Sequence, residues 1–102
     1  MEVIECAVKD SDSAAHLFNQ YRIFYQQPDD LETARAFIRR NIEDRVSRVF
    51  LLLDEDQKAL AFAQVYPATC SIAMKRFYWF YDLLFDPAVR GLRILEPYER
   101  SN

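Results

Sequence analysis

Two stretches of the chain place apolar side chains at the three- and four-residue spacing of an amphipathic helix. The first begins at capping residues from Asp10 onward and continues to about Gln26, before Pro28. Its apolar positions are Leu17, Phe18, Tyr21, Phe24 and Tyr25. The second follows the acidic pair Asp29-Asp30 and has its apolar positions at Leu31, Ala34, Phe37, Ile38 and Ile42. The pattern predicts two consecutive helices, each with one face on a core.

Four further segments carry the alternation or the dense apolar runs of β-strands. They cover residues 3–8, 49–53, 59–66 and 74–85. The polar loop 54–58 joins the second and third of them as a predicted hairpin, and residues 67–71 are predicted to form a loop. The resulting order is β-α-α-β-β-β. We therefore predict an α+β fold with two helices and a mostly antiparallel sheet.

The third and fourth strands are predicted to alternate strictly, because successive side chains of a strand point to opposite faces. In the third strand, one face carries Leu60, Phe62, Gln64 and Tyr66. The other face carries the smaller side chains Ala59, Ala61, Ala63 and Val65, which favours close packing of a helix there. In the fourth strand, one face carries Phe77, Trp79, Tyr81, Leu83 and Phe85. The opposite face carries Arg76, Tyr78, Phe80, Asp82 and Leu84.

The composition agrees with one domain and argues against several classes of function. The 102 residues are 51% hydrophobic and have a net charge of -3 with acids and bases interspersed, which argues against nucleic-acid binding. No apolar run approaches the length of a membrane span, and the acidic N-terminus is unlike a signal peptide. Cys6 and Cys70 lack the spacing of metal ligands, so we expect no metal site and a cytoplasmic location.

Three segments, taken in order, carry a resemblance to a known family. They are Leu17–Gln26, Phe62–Pro67 and Tyr81–Pro87, followed by the single glycine of the chain in Arg90-Gly91. Together with the order of elements, they resemble the N-terminal part of the GNAT superfamily of acetyl-CoA-dependent N-acetyltransferases. We therefore divide the chain into a GNAT-like half-domain, residues 1–91, and a divergent tail, residues 92–102. We interpret it as truncated or frameshifted after the fourth strand.

The resemblance implies a site for acetyl-CoA at the end of the fourth strand. The main chain of this strand would bond the pantetheine amides, through Leu83, Leu84 and Phe85. Arg90 and Gly91 would open the loop that holds the pyrophosphate on backbone N–H groups. Arg93 and Leu95 stand where the family has small residues, and their side chains would obstruct the phosphates. We therefore expect acetyl transfer to be weak or absent.

The resemblance also implies a site for an acceptor amine. Asp82 would accept a proton from the amine, as acidic residues on this strand do in some relatives. The alternative is a structural carboxylate bonded to backbone amides or to a helix arginine. Tyr21, Phe24 and Tyr25 would line the acceptor pocket, although their spacing equally suits core packing.

Two functions from different classes remain open. One is a GNAT-type enzyme, catalytically impaired, that transfers an acetyl group from acetyl-CoA to a small amine. The other is a non-catalytic binding or assembly module. In this second hypothesis the long aromatic edge strand, residues 76–85, pairs with a second copy of the chain to form a homodimer.

Overall fold

The two predicted helices are present in the computed structural model, which describes residues 1–86. Helix α1 spans Ser11–Phe24 and helix α2 spans Leu31–Glu43. The Asp30 carboxylate accepts the Thr33 N–H at 3.1 Å and caps α2, because the first N–H groups of a helix have no partner within it. In this part of the chain, neither helix combines the length and the apolar character of a membrane span.

Within residues 1–86, four strands form one antiparallel sheet in the order β1-β2-β3-β4. Their bounds are Glu2–Glu5 for β1, Arg48–Leu53 for β2, Ala59–Cys70 for β3 and Lys75–Phe85 for β4. Each strand pairs with the next strand along the chain. The strands β1 and β2 are direct neighbours in the sheet, although both helices separate them in the sequence. The order β-α-α-β-β-β and the α+β class are confirmed.

Two boundaries differ from the predicted ones. The first strand ends at Glu5, and Val8–Asp10 forms a 3-10 turn closed by the Asp10 carboxylate, which accepts the Ala7 N–H at 2.9 Å. The predicted loop at residues 67–71 is wrong, because β3 continues through Pro67. A residue without an N–H is tolerated there because β2 begins at Arg48, opposite Val65, so within residues 1–86 the end of β3 pairs with β4 alone.

Strict alternation fails at two β-bulges. Between β2 and β3, Leu52 pairs with Ala61 and Leu53 with Ala59, so Leu60 is an extra residue. Leu60 packs with Leu52 and Phe85 rather than in the core that contains Phe62. The prediction that Leu60 and Phe62 share a face was therefore wrong, because one extra residue reverses the alternation of a strand.

The second bulge lies in β4. Gln64 pairs with Asp82 and Val65 pairs with Phe80, so Tyr81 is the extra residue. In consequence the predicted faces of β4 are wrong. Phe80 lines the same groove as Leu83 and Phe85. Strict alternation had placed Phe80 on the face opposite to these two residues.

The main core lies between the two helices and one face of the sheet. It is built from apolar residues of every helix and of three strands: Ala14, Ala15, Leu17, Phe18, Ala34, Ile38, Val49, Leu51, Leu53, Phe62 and Leu84, with Cys6 beside them. Ala61 and Ala63 line a groove on the other face of the sheet. The helices therefore cover the face with larger side chains, and the prediction that they pack on the alanine face was wrong.

Candidate functional site

Asp82 lies at the bulge of β4, on the face of the sheet that the helices cover. Asp82 is only 9% exposed, and Leu84, two residues further along β4, belongs to the main core. The bulge brings the extra residue, Tyr81, to the same side. There its ring packs edge to face on the ring of Tyr66, with 5.3 Å between the ring centroids. Bulges commonly re-aim a side chain next to a functional site. Here the bulge groups a carboxylate and two phenols.

Gln64 is fully buried beside Asp82 and links it to the second helix. Its carbonyl oxygen accepts the Ser47 hydroxyl at 2.6 Å and the Asn41 amide at 3.1 Å. Its amide nitrogen donates to Asp82 Oδ2 at 2.8 Å. Because a carboxylate only accepts and the Asn41 NH2 only donates, these partners fix the orientation of the Gln64 amide. The network holds one oxygen of Asp82 in place.

Two tyrosines complete the surroundings of Asp82. Burial raises the pKa of Tyr21 to about 12, and the charge of Asp82 and a hydrogen-bond interaction with it act in the same direction. Burial is also the main cause that raises the pKa of Tyr66, followed by the charge of Asp82, while the hydrogen bond from Asn41 lowers it. Both phenols are therefore protonated near neutral pH and available as neutral donors.

The structure brings together two of the predicted site residues, Asp82 and Tyr21. Within residues 1–86, the recorded partners of the Asp82 carboxylate are the side-chain amide of Gln64 and the phenol of Tyr21, which differ from those named in the structural alternative. Within residues 1–86, every buried side-chain nitrogen and oxygen atom has a hydrogen-bond partner.

The three aromatic residues predicted to line an acceptor pocket lie at the end of α1. The ring of Tyr25 stands 5.0 Å from that of Tyr21 and 5.3 Å from that of Phe24, both edge to face. Tyr21 packs against the main core, whereas Phe24 and Tyr25 are 64% and 60% exposed. Core packing therefore accounts for Tyr21 but not for the other two.

The sequence reasoning missed Asn41 and Ser47. Asn41 is buried on α2, three residues after Ile38 and seven after Ala34, at a spacing that places it on the apolar face. A polar residue on such a face must find a partner, and this signal was present in the sequence. Ser47 lies just before β2, and no periodicity marks it.

The predicted cofactor residues lie along the end of β4 and beyond it. Leu83, Leu84 and Phe85 pair with Ala63, Phe62 and Ala61 of β3 in consecutive register. In the part of the chain that the structure describes, β4 is the last strand of the sheet. Arg90, Gly91, the domain boundary after residue 91 and the tail lie outside the described residues.

A cavity of about 420 Å³ lies next to the network of Asp82 and Gln64, because its lining includes Ser47, the partner of Gln64, together with Cys6, Arg48 and Tyr78. Burial raises the pKa of the Cys6 thiol to about 12, so it is not a thiolate nucleophile near neutral pH. The guanidinium of Arg48 is paired with both oxygens of Glu5, at 2.6 and 2.9 Å. The carboxylate of Glu5 is thus paired with a cation, whereas Asp82 has no cationic partner within residues 1–86, so the Asp82 cluster is the better candidate for a reaction site.

The sequence is similar to curated acetyltransferases. It is 39% identical over 90 residues to an uncharacterized N-acetyltransferase, YhfO, of Bacillus subtilis, and 31% identical over 67 residues to a probable acetyltransferase of Haemophilus influenzae. These matches cover 88% and 66% of the chain, but only 60% and 46% of the two relatives. The chain thus spans about half of the length of the curated relatives it matches. No protein-family model matches it.

The fold is similar to solved acetyltransferases. The crystal structure of a probable acetyltransferase superposes with a TM-score of 0.79 at 26% identity, over 99% of this chain and 73% of the other. A predicted acetyltransferase from Clostridium acetobutylicum, solved with acetyl-CoA, gives 0.68 at 11% identity, over 98% of this chain and 69% of the other. In sequence and in fold, the chain belongs to the GNAT superfamily of N-acetyltransferases.

Proposed function

We propose that this chain supplies the acceptor side of a GNAT-type acetyltransferase that moves an acetyl group from acetyl-CoA to a small amine. The observation that carries the proposal is Asp82, a buried carboxylate fixed by Gln64 and faced by Tyr21. The family membership supports the class of reaction. The acetyl-CoA in the Clostridium acetobutylicum structure supports the choice of donor.

The proposed reaction is attack by an amine nitrogen on the thioester carbonyl carbon. A carbon–nitrogen bond forms, the carbon–sulfur bond breaks, and the coenzyme leaves as its thiolate. Asp82 accepts the proton that the amine must lose, directly or through a water molecule. The hydrogen bond from Gln64 holds one oxygen of Asp82, and in this proposal the acceptor approaches the carboxylate beside the Tyr21 phenol.

The residues of β4 fit the donor in one respect. Leu83 and Leu84 lie in the outermost strand of the sheet that residues 1–86 form, and main-chain groups at such an edge can pair with an extended ligand. Arg93 and Leu95, which replace small residues of the family pattern, oppose tight binding of the pyrophosphate. We therefore expect the chain by itself to transfer acetyl groups weakly or not at all.

The proposal is tested by coenzyme A release from acetyl-CoA with a panel of small amines. Asp82→Asn is expected to lower the rate by about a hundredfold or more, the usual contribution of a general base. Asp56→Asn removes the same charge from an exposed position in the β2–β3 loop and should leave the rate unchanged. A thermal-shift titration with acetyl-CoA tests binding separately. Absence of both turnover and a shift at millimolar acetyl-CoA would overturn the proposal for this chain.

A second candidate function is a homodimeric assembly module. It is favoured by the position of β4 at the edge of the described sheet and by the exposure of Phe77, Tyr78, Trp79 and Tyr81 along it. Light scattering after size exclusion measures the mass over a range of concentrations. A dimer that Trp79→Glu dissociates supports this function, and a monomer at high concentration counts against it.

A further inference from the structure

Asp82 is a buried carboxylate without a cationic partner in residues 1–86. The ion pairs of this part of the chain are at the surface and use other acids: Asp12 with Arg35, Glu43 with Arg39, Asp44 with Arg40 and Glu5 with Arg48. The interactions of Asp82 are with the Gln64 amide and the phenols of Tyr21 and Tyr66. Burial of an ionised carboxylate is costly unless a cation compensates it. Within residues 1–86, the recorded partners of Asp82 are neutral groups.

Four phenol rings lie beside this carboxylate or pack on a ring that does, and we call them the tyrosine cluster: Tyr21, Tyr25, Tyr66 and Tyr81. Tyr21 and Tyr25 form one edge-to-face pair, at 5.0 Å, and Tyr66 and Tyr81 form another, at 5.3 Å. The phenols of Tyr21 and Tyr66 both interact electrostatically with Asp82 and with Tyr81, so the two pairs meet at the carboxylate.

The cluster is open to the solvent at its outer rings. Tyr81 is 70% exposed and Tyr25 is exposed as well, whereas Asp82 is buried. Aromatic faces attract organic cations, and a carboxylate at the base of several rings adds a full opposite charge. The cation–π contacts of the described residues involve Arg48 with Phe50 and Tyr78, so no protein cation occupies the tyrosine cluster there.

We propose that the tyrosine cluster and Asp82 bind the acceptor as an organic ammonium cation with an apolar body, an alkyl- or aralkylammonium. This assignment rests on the proposed function in one respect only, namely that the bound cation is the acceptor. Acceptors with a carboxylate next to the amine, such as free amino acids, are disfavoured, because within residues 1–86 the cluster presents the like charge of Asp82 to that carboxylate and no cation. The ammonium and Asp82 together also place the proton that acetyl transfer must remove.

The experiment measures binding without acetyl-CoA, so that it does not depend on turnover. Choline is the probe, because its charge is permanent and its nitrogen carries no proton. Its neutral isostere, in which a tert-butyl group replaces the trimethylammonium group, is the matched ligand control. Binding to the whole chain is followed by calorimetry or by chemical-shift changes of the tyrosine rings. Choline is expected to bind at least about tenfold more tightly than the isostere.

Two variants locate the site. Asp82→Asn is expected to weaken the binding of choline by at least about tenfold. Asp56→Asn, in the exposed loop, is expected to leave choline binding unchanged. Tyr81→Leu, at an exposed position, is expected to weaken choline binding severalfold. Tyr78→Leu removes an exposed ring that stands over Arg48 and serves as its control. Circular dichroism verifies that each variant is folded.

The outcomes separate this inference from the proposed function. Selective choline binding that depends on Tyr81 supports the cation site even if the chain shows neither turnover nor a thermal shift with acetyl-CoA, the two results that together overturn the proposed function. Acetyl transfer by a chain that binds choline no better than its neutral isostere overturns the cation site and leaves the proposed function standing. Equal choline binding by the parent chain and by folded Tyr81→Leu and Asp82→Asn variants also overturns it.

Discussion

Replacing Gln64 with glutamate changes one NH2 group into an oxygen at a fully buried position. In the parent chain this NH2 group donates to Asp82 Oδ2 at 2.8 Å, while the carbonyl oxygen accepts from Ser47 and Asn41. The introduced carboxylate keeps the shape of the side chain and both bonds to the carbonyl oxygen. It faces Asp82 with a like charge and cannot donate unless it is protonated.

The cost follows from the distance. Two ionised carboxylates at this separation repel each other by about 6 kcal/mol at an effective dielectric constant of about 20. Uptake of a proton removes the repulsion and restores a donor to Asp82. A carboxyl group has an ordinary pKa of about 4.3, so at about pH 7.5 the uptake of a proton costs roughly 4 kcal/mol. The variant is therefore expected to lose about 4 kcal/mol of unfolding free energy at that pH.

The loss depends on pH with a definite sign. The neighbouring charge and the burial raise the pKa of the introduced group in the folded state above its unfolded value. The folded state then binds more protons than the unfolded state, so the stability of the variant falls as the pH rises. At about pH 5 the same uptake costs only about 1 kcal/mol. Most of the stability of the parent chain should therefore return in acid.

The assay is urea unfolding followed by circular dichroism, for the parent chain and the variant at both pH values. Gln20→Glu makes the same chemical change on the exposed side of α1 and should match the parent chain at each pH. A Gln64→Glu variant as stable as the parent chain near pH 7.5, or equally destabilised at both pH values, would refute the buried Gln64–Asp82 contact.

Three further predictions test the core and the titrating groups. Ile38→Ala, at a position with no exposed surface, should cost about 2–5 kcal/mol in the same urea assay, and a loss below about 1 kcal/mol would contradict the placement of α2. A thiol reagent near pH 8 should label the half-buried Cys70 before the buried Cys6, whose thiol stays protonated because burial raises its pKa to about 12; mass spectrometry of peptides after a short exposure decides the order. Asp82→Asn should lower the pKa of Tyr21 in a spectrophotometric titration, because the charge of Asp82 is one cause that raises it to about 12, and an unchanged value would contradict their proximity.

The periodicity of the sequence was sufficient to predict both helices. The apolar positions of α1 and α2 recur at helical spacing, and the Asp30 cap marks the start of α2. A residue's neighbours within a helix are three or four positions away in the chain, so the signal is local. The same reasoning could have identified Asn41, whose place on the apolar face of α2 is evident from the sequence.

The faces of β3 and β4 could not be predicted in this way. An extra residue at Leu60 and another at Tyr81 each reverse the alternation of a strand. A bulge is defined by the partner strand, which lies elsewhere in the chain, so nothing in the local pattern indicates it. This is why Phe80 was expected on the face of Asp82 and lies on the face of Leu83 instead.

The sequence by itself determined the order of elements, the two amphipathic helices and the family, because these depend on local spacing and on segments that can be compared directly. Only the tertiary structure decided that the Ser47 hydroxyl and the Asn41 amide orient Gln64, and that Gln64 in turn holds Asp82. The physical reason is that these groups come from α2, the start of β2, β3 and β4, and a hydrogen bond between elements exists only once their packing and register bring donor and acceptor within about 3 Å.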